Sequence, residues 1–182
     1  MVISTKLTTF VALFKKRKEK LGIISQYNVS LAAIPEGKVE RVFVCNQEFF
    51  EAMENSEVID SDVEAQLEII HKNSAYNCLI KLNGEIKVAC DRCLEPMRHA
   101  VNTEYRITIK YGYEYDDSSD EILILPEDEV NFNFASMIHD TIVLTLPIRR
   151  VHKKGECNPE MEAKINNHSA ILDEEEIDEE EQ

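Results

Sequence analysis

Apolar and polar residues alternate along several segments in the middle of the chain, and this alternation predicts a β-rich domain. A strand with one buried face places its apolar side chains at every second position, which is the pattern that these segments show. The predicted strands, in chain order, are Tyr27 to Ile34, Val39 to Cys45, Val63 to Ile70, Tyr76 to Leu82, Glu85 to Cys90, Tyr105 to Gly112 and Ile122 to Leu125.

Turn-forming residues indicate how two pairs of these strands connect. Pro35-Glu36-Gly37 separates the first two strands and favours a hairpin, since Pro and Gly suit a turn. Asn83-Gly84 favours a two-residue type I′ hairpin turn, because both residues accept positive φ angles. In that register Cys78 and Cys90 project from opposite faces, so Cys78 is not expected to join a site at Cys90.

Two helices are predicted beside these strands. Asn46 can cap a short helix from Gln47 to Glu54. Asn133 can cap a second helix from Phe134 to Leu146, before Pro147 ends it. The sequence therefore predicts an α+β fold, in the form of a β-rich, strongly bent antiparallel sheet or partly open barrel with two helices.

Charge divides the chain of 182 residues into three parts. Residues 1–22 carry +5 and residues 173–181 carry −8, which leaves −12 of the formal net charge of −15 on residues 23–172. We expect a disordered basic arm at 1–22, a folded domain at 23–165 and a disordered acidic tail at 166–182. Because the body is acidic, any contact with RNA has to be local.

Cysteine usage and the N-terminal pattern indicate the compartment. The five cysteines occur without a secretory signal, so a disulfide framework is not expected. The apolar run from Leu7 to Phe14 is too short to span a bilayer, and the basic cluster Lys15-Lys16-Arg17-Lys18 follows the run instead of preceding it. The sequence predicts a cytoplasmic protein with reduced thiols.

Cys90 and Cys93 lie three positions apart at the end of a predicted strand. Two thiolates on a tight turn supply half of a tetrahedral zinc site. His152 and Cys157, beyond the second predicted helix, can supply the other half, with His99 as a substitute for His152. The equally weighted alternative is that Cys90 and Cys93 are structural thiols in a turn without a metal.

Other chemistries fit these residues less well. A thioredoxin-like pair lies at a helix N-terminus in a βαβ unit, whereas this C-x-x-C pair follows a strand and precedes Pro96. The sequence has no G-x-S-x-G serine motif, no P-loop and no glycine-rich dinucleotide motif. No enzymatic activity and no small-molecule substrate are therefore expected.

Basic residues surround the candidate ligands, although the body of the protein is acidic. A metal, or close packing of the two segments, would join these residues into one positive patch for phosphate or for an acidic partner. The alternative, that they are scattered surface charges that balance nearby acids, is weighted equally. The predicted patch consists of Arg92, Arg98, His99, Arg149, Arg150, Lys153 and Lys154.

The motif CDRCLEP follows an alternating strand and precedes an acidic loop, a helix that runs into IVLTLPI, and a final cysteine. In this order of elements, from about Ser25 to Cys157, the chain resembles the YceD family, the large ribosomal RNA subunit accumulation proteins of bacteria and chloroplasts. Within the motif, the matching positions are Cys90, Arg92, Cys93, Leu94, Glu95 and Pro96. The ending VHKKGEC departs from family members that have more cysteines there, which leaves the fourth ligand open.

This resemblance implies a role in the synthesis, processing or stability of large-subunit (23S) ribosomal RNA, with no known enzymatic activity. The implied partners are ribosomal RNA, ribosomal proteins or ribosome-assembly proteins, without a membrane. The main alternative is a zinc- or thiol-dependent regulatory binding module that has no ribosomal role. A hydrolase or transferase ranks third.

Overall fold

The computed structural model describes residues 18–165 and residue 167. Its strands are β1 (Asn28–Ser30), β2 (Gly37–Asn46), β3 (Val58–Lys72), β4 (Ala75–Ala89), β5 (Pro96–Gly112), β6 (Ile122–Pro126) and β7 (Asn131–Asn133). Its helices are α1 (described over 18–25), α2 (Gln47–Ala52), α3 (Ala135–Val143) and α4 (described over 159–165), with a 3-10 helix at Leu31–Ala33.

The main sheet has five strands in the order β2-β3-β4-β5-β6. The first four form an antiparallel meander, whereas β6 runs parallel to β5. The predicted α+β class is confirmed. The partly open barrel is not, because β2 and β6 lie at opposite edges and do not pair in the described part of the chain.

Helices α1 and α4 were not predicted from the sequence. Residues 18–22, which were assigned to the basic arm, lie in α1. Lys20 forms an ion pair of 3.2 Å with Glu54, and Ile24 packs against the core. The rest of the predicted arm lies outside the described residues, as does all of the predicted tail except residue 167.

The predicted hairpin around Pro35-Glu36-Gly37 is wrong. Strand β1 pairs with β7 in a separate two-stranded sheet, while β2 pairs with β3. The chain changes direction between β1 and β2 at the 3-10 helix, and the fully buried side chain of Leu31 stabilises this connection. The Phe134 backbone N–H donates to the Tyr27 carbonyl at 3.1 Å, which ties the N-terminal segment to the start of α3.

The predicted hairpin turn at Asn83-Gly84 is also wrong, because both residues lie inside β4. A Cβ on Gly84 would collide with the Asp62 carbonyl oxygen of β3, so glycine permits close approach of two strands here. The two-residue turn lies instead at Asn73-Ser74, where φ is 51° and 59°. Positive φ at both positions is the signature of a type I′ turn.

The core lies between one face of the main sheet and a layer that contains α2, α3 and the N-terminal segment. The predicted cap at Asn46 is confirmed, whereas α3 begins one residue later than predicted and has Phe134 as its N-cap residue, with Asn133 bonded to its first turn. The Asn46 side chain accepts a hydrogen bond from the Phe49 N–H at 3.1 Å, and the Asn133 side chain accepts one from the Ala135 N–H at 2.8 Å. Each of these hydrogen bonds satisfies a backbone donor that the first turn of a helix leaves free.

Every second residue of β4 faces the core, and this alternation continues to the end of the strand at Ala89. Cys78 and the even-numbered apolar residues after it are buried, and Cys90 follows in the same phase. The prediction that Cys78 and Cys90 project from opposite faces of the sheet is therefore wrong, because it rested on the wrong hairpin register. The two cysteines are separated by the length of the strand instead. No helix among the described residues is long and apolar enough to cross a membrane.

Candidate metal centre

Four predicted ligands meet at one end of the main sheet. Cys90 and Cys93 occupy the turn between β4 and β5, while His152 and Cys157 lie on the segment between α3 and α4. Their ligating atoms all lie within 4.8 Å of one another, and Cys93 Sγ is 3.4 Å from His152 Nδ1. His99 does not belong to this group.

The backbone of the β4–β5 turn aims both thiols inward. The Leu94 N–H donates to the Cys90 carbonyl at 2.9 Å, and the Cys90 N–H donates to the Glu95 carbonyl at the same distance. Leu94 adopts a left-handed conformation with φ of 63°, which reverses the chain so that β5 can return along β4. The turn is thus closed by its own backbone hydrogen bonds.

Asp91 and Arg150 join the two ligand-bearing segments. The Asp91 N–H donates to the Arg150 carbonyl at 2.7 Å, and the Arg150 N–H donates to the Asp91 carboxylate at 2.6 Å. The Arg150 guanidinium also forms an ion pair of 2.9 Å with Glu57. Sequence reasoning missed Asp91 and Glu57, because nothing in the local pattern shows where their partners lie.

Helix α4 closes the other side of the centre. Its Glu162 forms an ion pair of 3.2 Å with Arg92, and Asn158 donates a side-chain hydrogen bond of 3.2 Å to Glu95. Both contacts connect the region after Cys157 to the C-x-x-C turn. The helix therefore fixes the last ligand relative to the first two.

The three cysteines form a small core that is separate from the main one. Cys90 is fully buried, and Cys93 and Cys157 are almost so. Three partly buried apolar residues pack against them: Met97, Val151 and Met161. The other two thiols, Cys45 and Cys78, belong to the main core.

The surroundings of the thiols favour thiolate at two positions. The pKa of Cys90 falls to about 6 and that of Cys93 is also lowered. Burial opposes ionisation of Cys90 most strongly, but backbone N–H groups of Cys93, His152 and Arg92 together outweigh it. Burial, followed by the neighbouring sulfurs, raises the pKa of Cys157 to about 11. The surroundings that stabilise negative charge on the sulfurs of Cys90 and Cys93 also suit the binding of a metal cation by these two thiolates.

These residues fit a structural zinc ion. Three thiolates and one imidazole are a ligand set that Zn²⁺ takes in tetrahedral sites. All four positions come from the protein, which leaves no open position for water or a substrate. The arrangement therefore suits stabilisation of the fold rather than catalysis by the metal.

The residues of the predicted basic patch fall into three groups in the structure. Arg149, Lys153 and Lys154 are exposed and have no ion-pair partner among residues 18–165. Arg92 and Arg150 are instead held by carboxylates within the centre. The three exposed cations thus lie on the same segment as His152 and Cys157.

Arg98 and His99 lie apart from that segment, on β5. Arg98 forms an ion pair of 3.3 Å with Glu85 and lines a hollow with Asp60 and Asp62. His99 is paired with core-facing Ile86, and its Nε2 is buried without a hydrogen-bond partner among the described residues. The prediction that His99 belongs to a surface patch is not supported by this orientation.

Comparison with known proteins gives one match. The sequence model of a family described as "Large ribosomal RNA subunit accumulation protein YceD" matches residues 79–182, which include all four ligands of the centre. No curated protein and no solved structure matches the chain.

Proposed function

The chain belongs to the YceD family, and on this basis we propose that it is a non-enzymatic cytoplasmic factor that supports the synthesis, processing or stability of large-subunit (23S) ribosomal RNA during ribosome biogenesis. The family description supports a role in accumulation of this RNA. The closed Cys and His cluster supports a binding role rather than a catalytic one.

In this proposal Cys90, Cys93, His152 and Cys157 hold one zinc ion. The ion would supply folding energy by joining the β4–β5 turn to the segment after α3, because such a site does not exist in the unfolded chain. The contacts of Arg150 with Asp91 and Glu57, called the clamp below, orient the backbone between the ligands. The protein's own contacts thus position the segment, and the metal stabilises that position.

One observation carries the proposal: the ligand centre fixes a segment whose three exposed cations lack ion-pair partners within the described residues. Arg149, Lys153 and Lys154 can each approach a phosphate without first breaking an ion pair. Elsewhere the acidic body repels RNA. Ribosomal RNA would therefore be contacted at this segment.

The test is RNA binding by a variant with Arg149→Gln, Lys153→Gln and Lys154→Gln, measured against a transcript of the large-subunit RNA over a range of salt concentrations. Each phosphate contact releases about one counterion, so we expect the slope of log K against log salt to fall by about two to three. The melting temperature should not change, because none of the three side chains is buried.

A matched control changes Lys72, Lys81 and Lys110 to Gln. These residues are also exposed, and the control removes the same charge from strands of the main sheet. Equal loss of RNA binding in both variants would show general attraction rather than a site.

Normal large-subunit RNA levels and sucrose-gradient profiles in cells without the protein would favour the regulatory module that has no ribosomal role.

A further inference from the structure

A second surface of the molecule lies between β5 and α3, away from the ligand centre. It is a groove of about 620 Å³. Tyr105, Met137 and Leu144 give it apolar walls, and Asp120 and Asp140 contribute carboxylates. Leu144 is 83% exposed, so the described part of the chain leaves most of this large apolar side chain at the rim open to solvent.

Two features of this groove favour a positively charged ligand. Neither Asp120 nor Asp140 forms a salt bridge with Lys or Arg among the described residues, although Asp140 lies 2.8 Å from the Nδ1 atom of His139. In addition, α3 ends beside the groove without a basic residue in its last turn. The C-terminal end of a helix carries partial negative charge and favours cations.

The stretch that contributes Asp120 and α3 to the groove contains no Lys or Arg that could neutralise these carboxylates. Residues 111–148 contain nine Asp and Glu and no Lys or Arg. An exposed apolar rim with uncompensated carboxylates suits a side chain that has an aliphatic stem and a positive head. Arg and Lys have this form, because their methylene groups pack on apolar surface while their charges reach a carboxylate or water.

We propose that the groove between β5 and α3 binds a Lys- and Arg-rich peptide segment of a partner protein, with apolar residues of that segment against Met137 and Leu144. Charge complementarity selects this occupant. RNA would bring phosphates to carboxylates that have no Lys or Arg partner among the described residues, and a second copy of the chain would bring a body of charge −12. The surface is independent of the cations at 149–154.

The experiment measures binding of a fluorescent synthetic peptide that repeats Arg-Leu-Lys to the full-length protein. The double variant Asp120→Asn and Asp140→Asn should weaken binding about tenfold, because it removes two ion pairs. Leu144→Ser should weaken binding about fivefold through lost apolar contact. A peptide that repeats Glu-Leu-Glu should not bind.

The matched control is Glu114→Gln with Glu127→Gln, which removes the same charge from exposed positions of the acidic stretch outside the groove lining. We expect less than about a twofold effect, from long-range attraction alone. Equal weakening by both double variants would overturn the groove as a site. Melting curves of all variants establish that each is folded.

A deletion of residues 1–17 tests another occupant, since this segment contains four Lys and Arg together with an apolar run. Unchanged peptide affinity after the deletion supports a partner protein as the occupant. A marked increase would mean that the chain's own N-terminal segment competes for the groove, which would overturn the assignment. The Arg149, Lys153 and Lys154 variant should bind the peptide normally, so failure here is distinct from failure of RNA binding.

Discussion

Residues 111–148 and residues 149–154 are adjacent in the chain and opposite in charge. The longer stretch has nine acids and no Lys or Arg, whereas the six residues that follow have four Lys and Arg and no acid. The boundary falls between Ile148 and Arg149, just after α3. A few residues after the end of α3 thus separate an acidic stretch from a basic one.

The two stretches also differ in what holds them. The acidic stretch contains β6, β7 and α3, whose apolar residues belong to the main core. The basic stretch has no helix or strand and is held by His152, by the clamp between Asp91 and Arg150, and by the small core around the cysteines. The acidic stretch therefore depends on the main core, and the basic stretch depends on the ligand centre and the clamp. A substitution in the ligand centre should affect the basic stretch far more than the acidic one.

The largest expected effect is that of Cys90→Ser. Purified wild-type protein should carry about one zinc, and the variant should lose both the metal and about 3 kcal/mol or more of stability, because metal binding energy is folding energy. RNA binding should fall with it. Peptide binding at the groove should persist at temperatures where the variant is still folded, which separates the two supports.

Cys78→Ala is the control, because it removes a buried thiol of the main core and should keep the metal. Metal content by atomic emission and unfolding by urea check both variants. If wild-type protein is free of metal and as stable as Cys90→Ser, the cluster is a set of structural thiols. If Cys90→Ser loses peptide and RNA binding equally while folded, the two surfaces are not separately supported.

A smaller effect is expected for Arg150→Ala. The guanidinium of Arg150 lies 2.9 Å from Glu57 and 3.5 Å from Asp91, and its side chain is 23% exposed. Its carboxylate partners are more exposed, so each pair contributes modestly, and we expect a loss of about 1 kcal/mol in urea unfolding. Neighbouring Arg149→Ala is the control, and it should have no measurable effect on stability. Equal effects would contradict a clamp role for Arg150.

Local signals in the sequence predicted those features that depend on neighbouring residues. Asn46 caps α2 as expected, since a cap involves only the next few residues. The sequence also indicated that Cys90, Cys93, His152 and Cys157 could come together, because Cys and His are the residue types that zinc sites use and the C-x-x-C spacing suits a tight turn. The α+β class followed from the alternation of the strands.

Features that depend on distant partners were not predictable in this way. Asn83-Gly84 has the local signature of a hairpin turn, but the close approach of β3 selects glycine there for a different reason. Strand β1 finds its partner β7 more than a hundred residues later, and no local pattern encodes such a pairing. The groove was missed as well, because the exposure of Leu144 depends on where α3 ends against β5.

The smallest effect on stability is expected for deletion of residues 173–182. Eight acids among nine residues repel one another and have little apolar surface to bury, so the melting temperature should change by less than about 1 °C.

The same deletion should sharpen the contrast between the two surfaces. Removal of −8 near the end of the chain should raise RNA affinity about two- to threefold at low salt, and the gain should disappear at high salt because of screening. Calorimetry and RNA titrations on the same preparations check both parts, and a large fall in melting temperature would show that the tail packs against the domain.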